Sequence, residues 1–284
     1  MSKNHYNYII CGGGASGLLL AYRICNDPYF KDRSILVIEK DFKNTNDRTW
    51  CFWESGIGDL EELVHKNWDQ ANFSAEDFKL DFSLQPFHYK MIRSLDFYQS
   101  MNNKLAKFDQ LTQIKEKVKS VENNLVTTEI KSYHGGMIFS SIYNTNSLTL
   151  QKKYPVLLQH FIGQVVQTQK PCFDPNKIEF MNFNVPQKGN TRFMYVLPFK
   201  PNKALLEYTL FSENVLERKE YSDAIAEFLN QMPTGGYEIL EEEEGKIPMT
   251  CYRFDLKNSS KILHIGTAGG WTKPSSGYTF KFID

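Results

Sequence analysis

The sequence has no excess of charge of either sign. Its 33 Lys and Arg balance 33 Asp and Glu, so the formal net charge is zero. With no basic surplus to displace counterions, nucleic acid is not an expected partner. Paired cysteines are missing as well. Cys11, Cys25, Cys51, Cys172 and Cys251 are odd in number and contain no CxxC, and the histidines show no HxxxH spacing. These gaps argue for reduced cytosolic thiols and against a structural zinc. Nor does any run reach the roughly 18 apolar residues of a membrane-spanning helix. The N-terminal YIICGGGASGLLLAYRIC is cut by three glycines and has no basic block ahead of it, unlike a secretory signal. The expectation is a chain in solution or on a membrane surface.

Aromatic residues, by contrast, are plentiful: 21 Phe and 15 Tyr. Such a content serves either a well-packed core or a binding surface for a large apolar molecule. A chain of 284 residues is long enough for one large domain or two intertwined ones.

YNYIIC reads as a buried strand, ASGLLLAYRICND as a helix stopped by Asn26, Asp27 and Pro28, and SILVIEK as a second buried strand. Together they have the size of a βαβ unit. The stretch from Leu111 to Asn144 alternates as three short strands, with turns expected at ENN and HGG. LLQHFIGQVVQT, KIEFMNFNV, RFMYVLPFK and ALLEYTLFS suggest a second, mostly antiparallel sheet, KPNK making the last turn. YSDAIAEFLNQM is helical, with Tyr221, Ile225 and Leu229 on one face. The acidic run Glu241 to Glu244 reads as a solvated loop or helix face.

Gly12, Gly14 and Gly17 form GxGxxG between the first strand and the helix that begins at Ala15. In this setting the first glycine permits a tight turn, the second lets the backbone approach a pyrophosphate, and the third allows close helix–strand contact. The phosphate would rest on the helix N-terminus. Glu39 ends the second strand 22 residues past Gly17, where a carboxylate can accept hydrogen bonds from an unphosphorylated ribose. FAD or NAD is thus favoured over NADP.

The end of the chain chooses between them. GTAGGWTKPSSG, with Gly266, Pro274 and Gly277, resembles the late flavin-binding motif of flavoprotein hydroxylases, with Thr267 in place of their aspartate. A second nucleotide motif so late in the chain is a flavin trait. The expected fold is α/β: a Rossmann-like, hydroxylase-type FAD-binding domain with an interleaved antiparallel-sheet substrate domain. The expected FAD domain is discontinuous (1–55, 100–145 and 258–284), with substrate-binding regions at 56–99 and 146–257.

IICGGGASGL, DRTWCFWE, LQHFIG, FMYVLPF, LLEYTLFS, GKIPM and GTAGGWTKPSSGYTF occur in this order, and together they resemble the bacterial lycopene β-cyclases. Asn7 and Asn182 depart from the aspartates common in that family. Typical members continue into a further, largely helical stretch, so a shortened cyclase is expected. The resemblance implies an isomerase (an intramolecular lyase) that closes the ψ-ends of lycopene or other linear carotenoids into β-ionone rings without net redox change. It implies bound FAD in its reduced form, NAD(P)H as a possible reductant, and peripheral contact with the cytoplasmic face of the membrane. On this resemblance Glu207 in LLEYTLFS is the acid; Arg48 is a candidate for the dinucleotide phosphates; Tyr195, Tyr208 and Trp271 are candidates for stabilising a cation. His160 reads first as a hydrogen-bonded structural residue. Competing readings are an FAD-dependent hydroxylase or isoprenoid reductase using NAD(P)H, and a non-catalytic FAD-binding module.

Overall fold

A computed structural model describes residues 4–283; residues 1–3 and 284, the outer ends of the expected FAD domain, lie outside the described residues. In chain order the elements begin with β1 (His5–Cys11), α1 (Ala15–Asn26), β2 (Ile35–Glu39), β3 (Thr49–Ser55), β4 (Val64–Trp68), β5 (Gln70–Ala75), β6 (Phe78–Ser83), β7 (Phe87–Arg93), α2 (Ser94–Leu105) and β8 (Leu111–Lys115). They continue with β9 (Val118–Glu122), β10 (Leu125–Thr128), β11 (Ser132–Ser140), α3 (Asn146–Thr149), β12 (Leu157–Thr168), β13 (Lys177–Asn182), β14 (Thr191–Lys200) and β15 (Lys203–Ser212). α4 (Arg218–Asn230), β16 (Tyr237–Met249), β17 (Ile262–His264) and α5 (Phe280–Ile283) complete the series. The chain divides into two units. One takes residues up to Thr45, Leu95–Pro155 and those from Thr250 onward; the other takes Asn46–Ser94 and Val156–Met249.

In the first unit β1 lies between β2 and β11, parallel to both, and β8 and β17 extend the parallel sheet. β1 and β2 read as nearly unbroken apolar runs because strands of such a sheet are covered on both faces. Ile9, Cys11, Leu36, Ile38, Val126, Tyr133 and Ile138 form the core there. Helix α1 buries Leu18, Leu19, Ala21, Ile24 and Cys25. It stops where Asp27 turns extended and Pro28 follows.

The region from Leu111 differs from the expected three strands. It has four, and HGG is no turn: Gly135 and Gly136 lie inside β11. A side chain at Gly136 would stand 2.8 Å from the Asn7 carbonyl, so the glycine serves close backbone approach to β1.

The second unit holds a seven-stranded sheet in the order β16-β12-β15-β14-β13-β5-β6, antiparallel except at β13–β5, and a three-stranded sheet β3-β7-β4. One face of the large sheet, with Ile162, Val166, Met194, Val196, Leu206, Tyr208 and Leu210, packs on Tyr221, Ile225 and Leu229 of α4. Each such fully buried aliphatic side chain contributes about 1.5–3 kcal/mol.

The acidic run departs from the expected solvated loop or helix face. Glu241 to Glu244 lie in β16, and strand periodicity sends them alternately to opposite faces. Glu242 and Glu244 point outward, where Arg218 pairs with both. Glu241 and Glu243 turn to the other face, and Glu243 is only 8 % exposed.

Candidate active site

The glycine motif builds a cradle within the first unit. Gly12 has φ +104°, which L side chains rarely adopt, and a Cβ there would strike Ser141 Oγ. A Cβ at Gly17 would stand 2.0 Å from the Gly12 carbonyl oxygen, so the turn closes only around glycine. Gly14 precedes Ala15 as the helix N-cap; no side chain caps it, and nothing would meet a Cβ within 4 Å. The first-turn N–H groups of α1 are thus left to an incoming anion. Glu39, at the end of β2, accepts from Gly13 N at 2.6 Å and from Asp41 N at 3.2 Å, which places its carboxylate beside the turn.

The late motif reaches the same helix. Gly266 has φ +60°, and its missing Cβ would fall 2.6 Å from Ser16 Oγ in the first turn of α1. Thr267 lies in the short 3₁₀ turn that starts at Gly266. Pro274 and Gly277 belong to a tight turn closed by Gly277 N donating to the Lys273 carbonyl at 2.9 Å. Gly12, Gly14, Ala15, Gly17 and Gly266 therefore converge on one helix terminus, although about 250 residues separate the motifs, as late-returning dinucleotide folds require. The residues fit a bound dinucleotide: uncapped backbone donors at the start of α1, open space at Gly14 and a nearby carboxylate.

Glu207 lies in the second unit, in a row that runs across four strands. On β15 it faces Tyr195 of β14 on one side and Gly163 of β12 on the other. Gly163 in turn faces Glu243 of β16. Residues in register share a face, so Tyr195, Glu207, Gly163 and Glu243 form one line. A Cβ on Gly163 would stand 3.0 Å from Glu207 Cγ and 3.1 Å from Glu243 Cγ. Its absence lets the two side chains approach each other over β12, close enough for each carboxyl to shift the other's titration.

Glu207 keeps part of its surface accessible, but its carboxyl lies deep in protein. Burial first, then the Glu243 charge and their shared hydrogen bond, pushes its pKa well above the ordinary carboxylate value. Burial raises Glu243 too, but a 2.7 Å hydrogen bond from Thr49 Oγ1, the bond with Glu207, and the positive charges of Arg93 and Arg48 pull it back. Burial thus favours a protonated form of the pair, while Thr49, Arg93 and Arg48 favour the ionised form at Glu243. Cys51 of β3 lies against the pair; burial above all, then both carboxyls, drives its thiol far up.

Aromatic rings extend from Tyr195, the register partner of Glu207. Phe193 and Phe180 meet Tyr195 edge-on at 4.9 and 5.7 Å, and Phe180 continues to Tyr89 and Trp53. In the other direction Phe193 leads to Phe183, which with Phe78 lines an open cavity of about 930 Å³. Tyr208 does not belong here. It is one residue from Glu207 in a strand and so faces α4 on the opposite side. Trp271 belongs to the first unit. Arg48 belongs to the second, where it pairs with Asp47 at 3.2 Å and favours the charged form of Glu243. His160 is 1 % exposed, and both ring nitrogens are engaged, by Ser212 Oγ at 2.7 Å and Tyr221 OH at 2.5 Å.

Sequence reasoning missed Glu243. Gly163 and the alternation of Glu241 to Glu244 were the available signals, and both need the strand pairing to be read. Among the described residues no group of His, Cys, Asp and Glu could hold a metal ion, and no helix is long and apolar enough to cross a membrane.

Solved structures of similar fold include the flavin-dependent brominase Bmp2 (TM-score 0.67, 15 % identity, 98 % of this chain and 76 % of that one). A geranylgeranyl bacteriochlorophyll reductase-like protein from Thermoplasma acidophilum gives a TM-score of 0.69 at 11 % identity, over 99 % of this chain and 75 % of that one. The fold is the Rossmann-like, flavoprotein hydroxylase-type α/β fold with an interleaved antiparallel sheet. In sequence the chain is similar to lycopene beta-cyclase of Pantoea ananas, 24 % identical over 87 % of this chain and 63 % of the relative. It is similar also to lycopene beta-cyclase of Paracoccus sp., 26 % identical over 44 % of this chain and 33 % of the relative. Capsanthin/capsorubin synthase of Citrus sinensis is 22 % identical over 96 % of this chain and 57 % of its own length. The chain thus spans from a third to somewhat under two thirds of the curated relatives it matches. The family model described as lycopene cyclase protein matches residues 7–282, nearly the whole chain, and the chain belongs to the lycopene cyclase family.

Proposed function

We propose that this chain carries the flavin-binding and acid-bearing parts of a lycopene β-cyclase, an isomerase that closes the ψ-ends of linear carotenoids into β-ionone rings. The observation that carries this reading is a buried carboxyl set against a second carboxyl and beside an aromatic wall, a setting that favours its protonated form. Glu207 donates its proton to the terminal alkene. The resulting cation is attacked by the π electrons of a neighbouring double bond, which forms the ring bond and moves the positive charge into the ring. A C–H proton then leaves and its electron pair becomes the ring double bond. One proton enters and one departs, so substrate and product are isomers.

Tyr195, edge-packed against Phe193 and Phe180, stands next to the donor and offers its ring face to the cation, an attraction worth about 0.5–2 kcal/mol. After transfer the Glu207 carboxylate adds its own negative charge, which opposes the developing positive one. Gly12, Gly14, Ala15, Gly17 and Glu39 would hold the adenosine and pyrophosphate of FAD, and Gly266, Thr267, Pro274 and Gly277 its flavin end, with NAD(P)H a candidate reductant. Bound reduced flavin would supply a further negative charge, without net electron transfer. The carotenoid is apolar, so access to it implies peripheral membrane contact through apolar loops. Phe78 and Phe87, about half exposed in the second unit, are suited to it.

The test is expression in a lycopene-accumulating host. Wild type should yield cyclic carotenoid and Glu207→Gln should not. Ring formation by Glu207→Gln near the wild-type level, or a reduced acyclic product with NAD(P)H consumed, would overturn the reading.

A further inference from the structure

Glu243 has no part in the reaction as described, yet it is a carboxylate in an unusual setting. It is 8 % exposed, and its Oε2 takes a hydrogen from Thr49. Its other oxygen, Oε1, is buried with no N–H or hydroxyl donor. Across Gly163 its neighbour is the Glu207 side chain, whose carboxyl can satisfy that oxygen only if it carries a proton. One strand, β12, separates β15 from β16, and the two side chains approach because the intervening position, Gly163, has no side chain of its own. A buried carboxylate oxygen left without any donor is strongly destabilising. Three features of the fold therefore agree on a proton shared between Glu207 and Glu243.

We propose that Glu243 is the positioning residue of Glu207: across Gly163 it accepts the Glu207 hydroxyl, orients that carboxyl, and keeps a single proton between the two side chains. This rests on the reading of Glu207 as the acid. The pair also supplies the return step. Once Glu207 has given its proton to the alkene, two carboxylates face each other in a buried site, so the proton lost from the cyclised cation is recaptured there. The surrounding groups support one charge and not two. Thr49 and Cys51 face the pair from β3, Arg93 from β7 and Arg48 from the segment before β3; Glu241, next on the same face of β16, is paired with Arg93. Arg93 and Arg48 favour the ionised form of Glu243, while the Cys51 thiol remains neutral.

The test is an infrared pH titration of the carboxylic-acid C=O band in the purified chain. Wild type should keep one protonated carboxyl into the neutral range, and Glu207→Gln should lose that band. Glu243→Gln removes the negative neighbour and gives Glu207 an N–H donor in its place. The band should then vanish at lower pH, by roughly one unit or more, and the alkaline limb of any cyclisation profile should move the same way. Glu243→Asp should restore most of the wild-type midpoint. Thr49→Val removes the hydrogen bond that favours ionised Glu243, so the band should persist to higher pH; it serves if Glu243→Gln does not fold. A wild-type midpoint in folded Glu243→Gln or Thr49→Val would overturn the proposal. A shifted midpoint with no cyclic carotenoid from wild type would leave the dyad standing and remove the cyclase reading.

Discussion

The two units keep their functional residues in different ways. In the first, the turn at the heart of the cradle is contiguous in sequence: Gly12 to Gly17 lead into α1, and Gly12 and Gly17 make a conformation and a close contact that only glycine permits. In the second, Tyr195, Glu207, Gly163 and Glu243 come from four strands spread over 81 residues and meet only through register. A site made of backbone leaves a local signature. A site made by strand pairing leaves none, because each member looks ordinary in its own strand.

The comparison can be broken hardest at the acid. Glu207→Gln is expected to lower ring formation on the order of 10²–10⁴-fold, the usual share of a general acid, with the circular dichroism of the folded chain unchanged. In the cradle, Gly17→Ala forces a methyl to 2.0 Å from the Gly12 carbonyl. It should destabilise the turn by about 1–3 kcal/mol, and flavin retained after desalting should fall sharply while the titration of the acid pair is unmoved. Ile225→Ala empties a fully buried site under the other face of the large sheet. It should lower stability by about 2–5 kcal/mol in denaturant unfolding without moving the pH profile, which would separate the packed face of that sheet from its reactive one. Tyr195→Leu keeps the apolar volume and removes the ring face, so turnover should fall by about 5- to 30-fold, equivalent to 1–2 kcal/mol.

The smallest effect is on stability against pH. Glu207 has its folded pKa raised above the unfolded value, so its stabilising contribution is complete below the ordinary carboxylate range. It is lost as pH rises through the folded value. Wild type should therefore weaken with rising pH above that range, by up to about 1.4 kcal/mol per unit, and Glu207→Gln should show a flatter curve.

The same contrast explains what could be read beforehand. The strand, glycine turn and helix at residues 5–26 follow from apolar runs and glycine spacing, and α4 from its four-residue stripe of Tyr221, Ile225 and Leu229. HGG deceived because glycine marks both turns and close strand contacts, and at Gly136 the second reason applies. The run Glu241 to Glu244 deceived because composition alone suggests solvent. Only the alternation of a strand shows that Glu242 and Glu244 pair with Arg218 while Glu243 turns inward. Tyr208 failed as a neighbour of the acid for the same reason: adjacency in a strand means opposite faces.

A single turnover of lycopene by protein pre-equilibrated in D₂O, with the flavin reduced and the products analysed by mass, tests the protonated carboxyl most directly. Acid-initiated closure predicts one deuterium per ring formed, no stoichiometric consumption of reductant, and no label with Glu207→Gln. Rings without deuterium, or reductant consumed one for one with product, would contradict it.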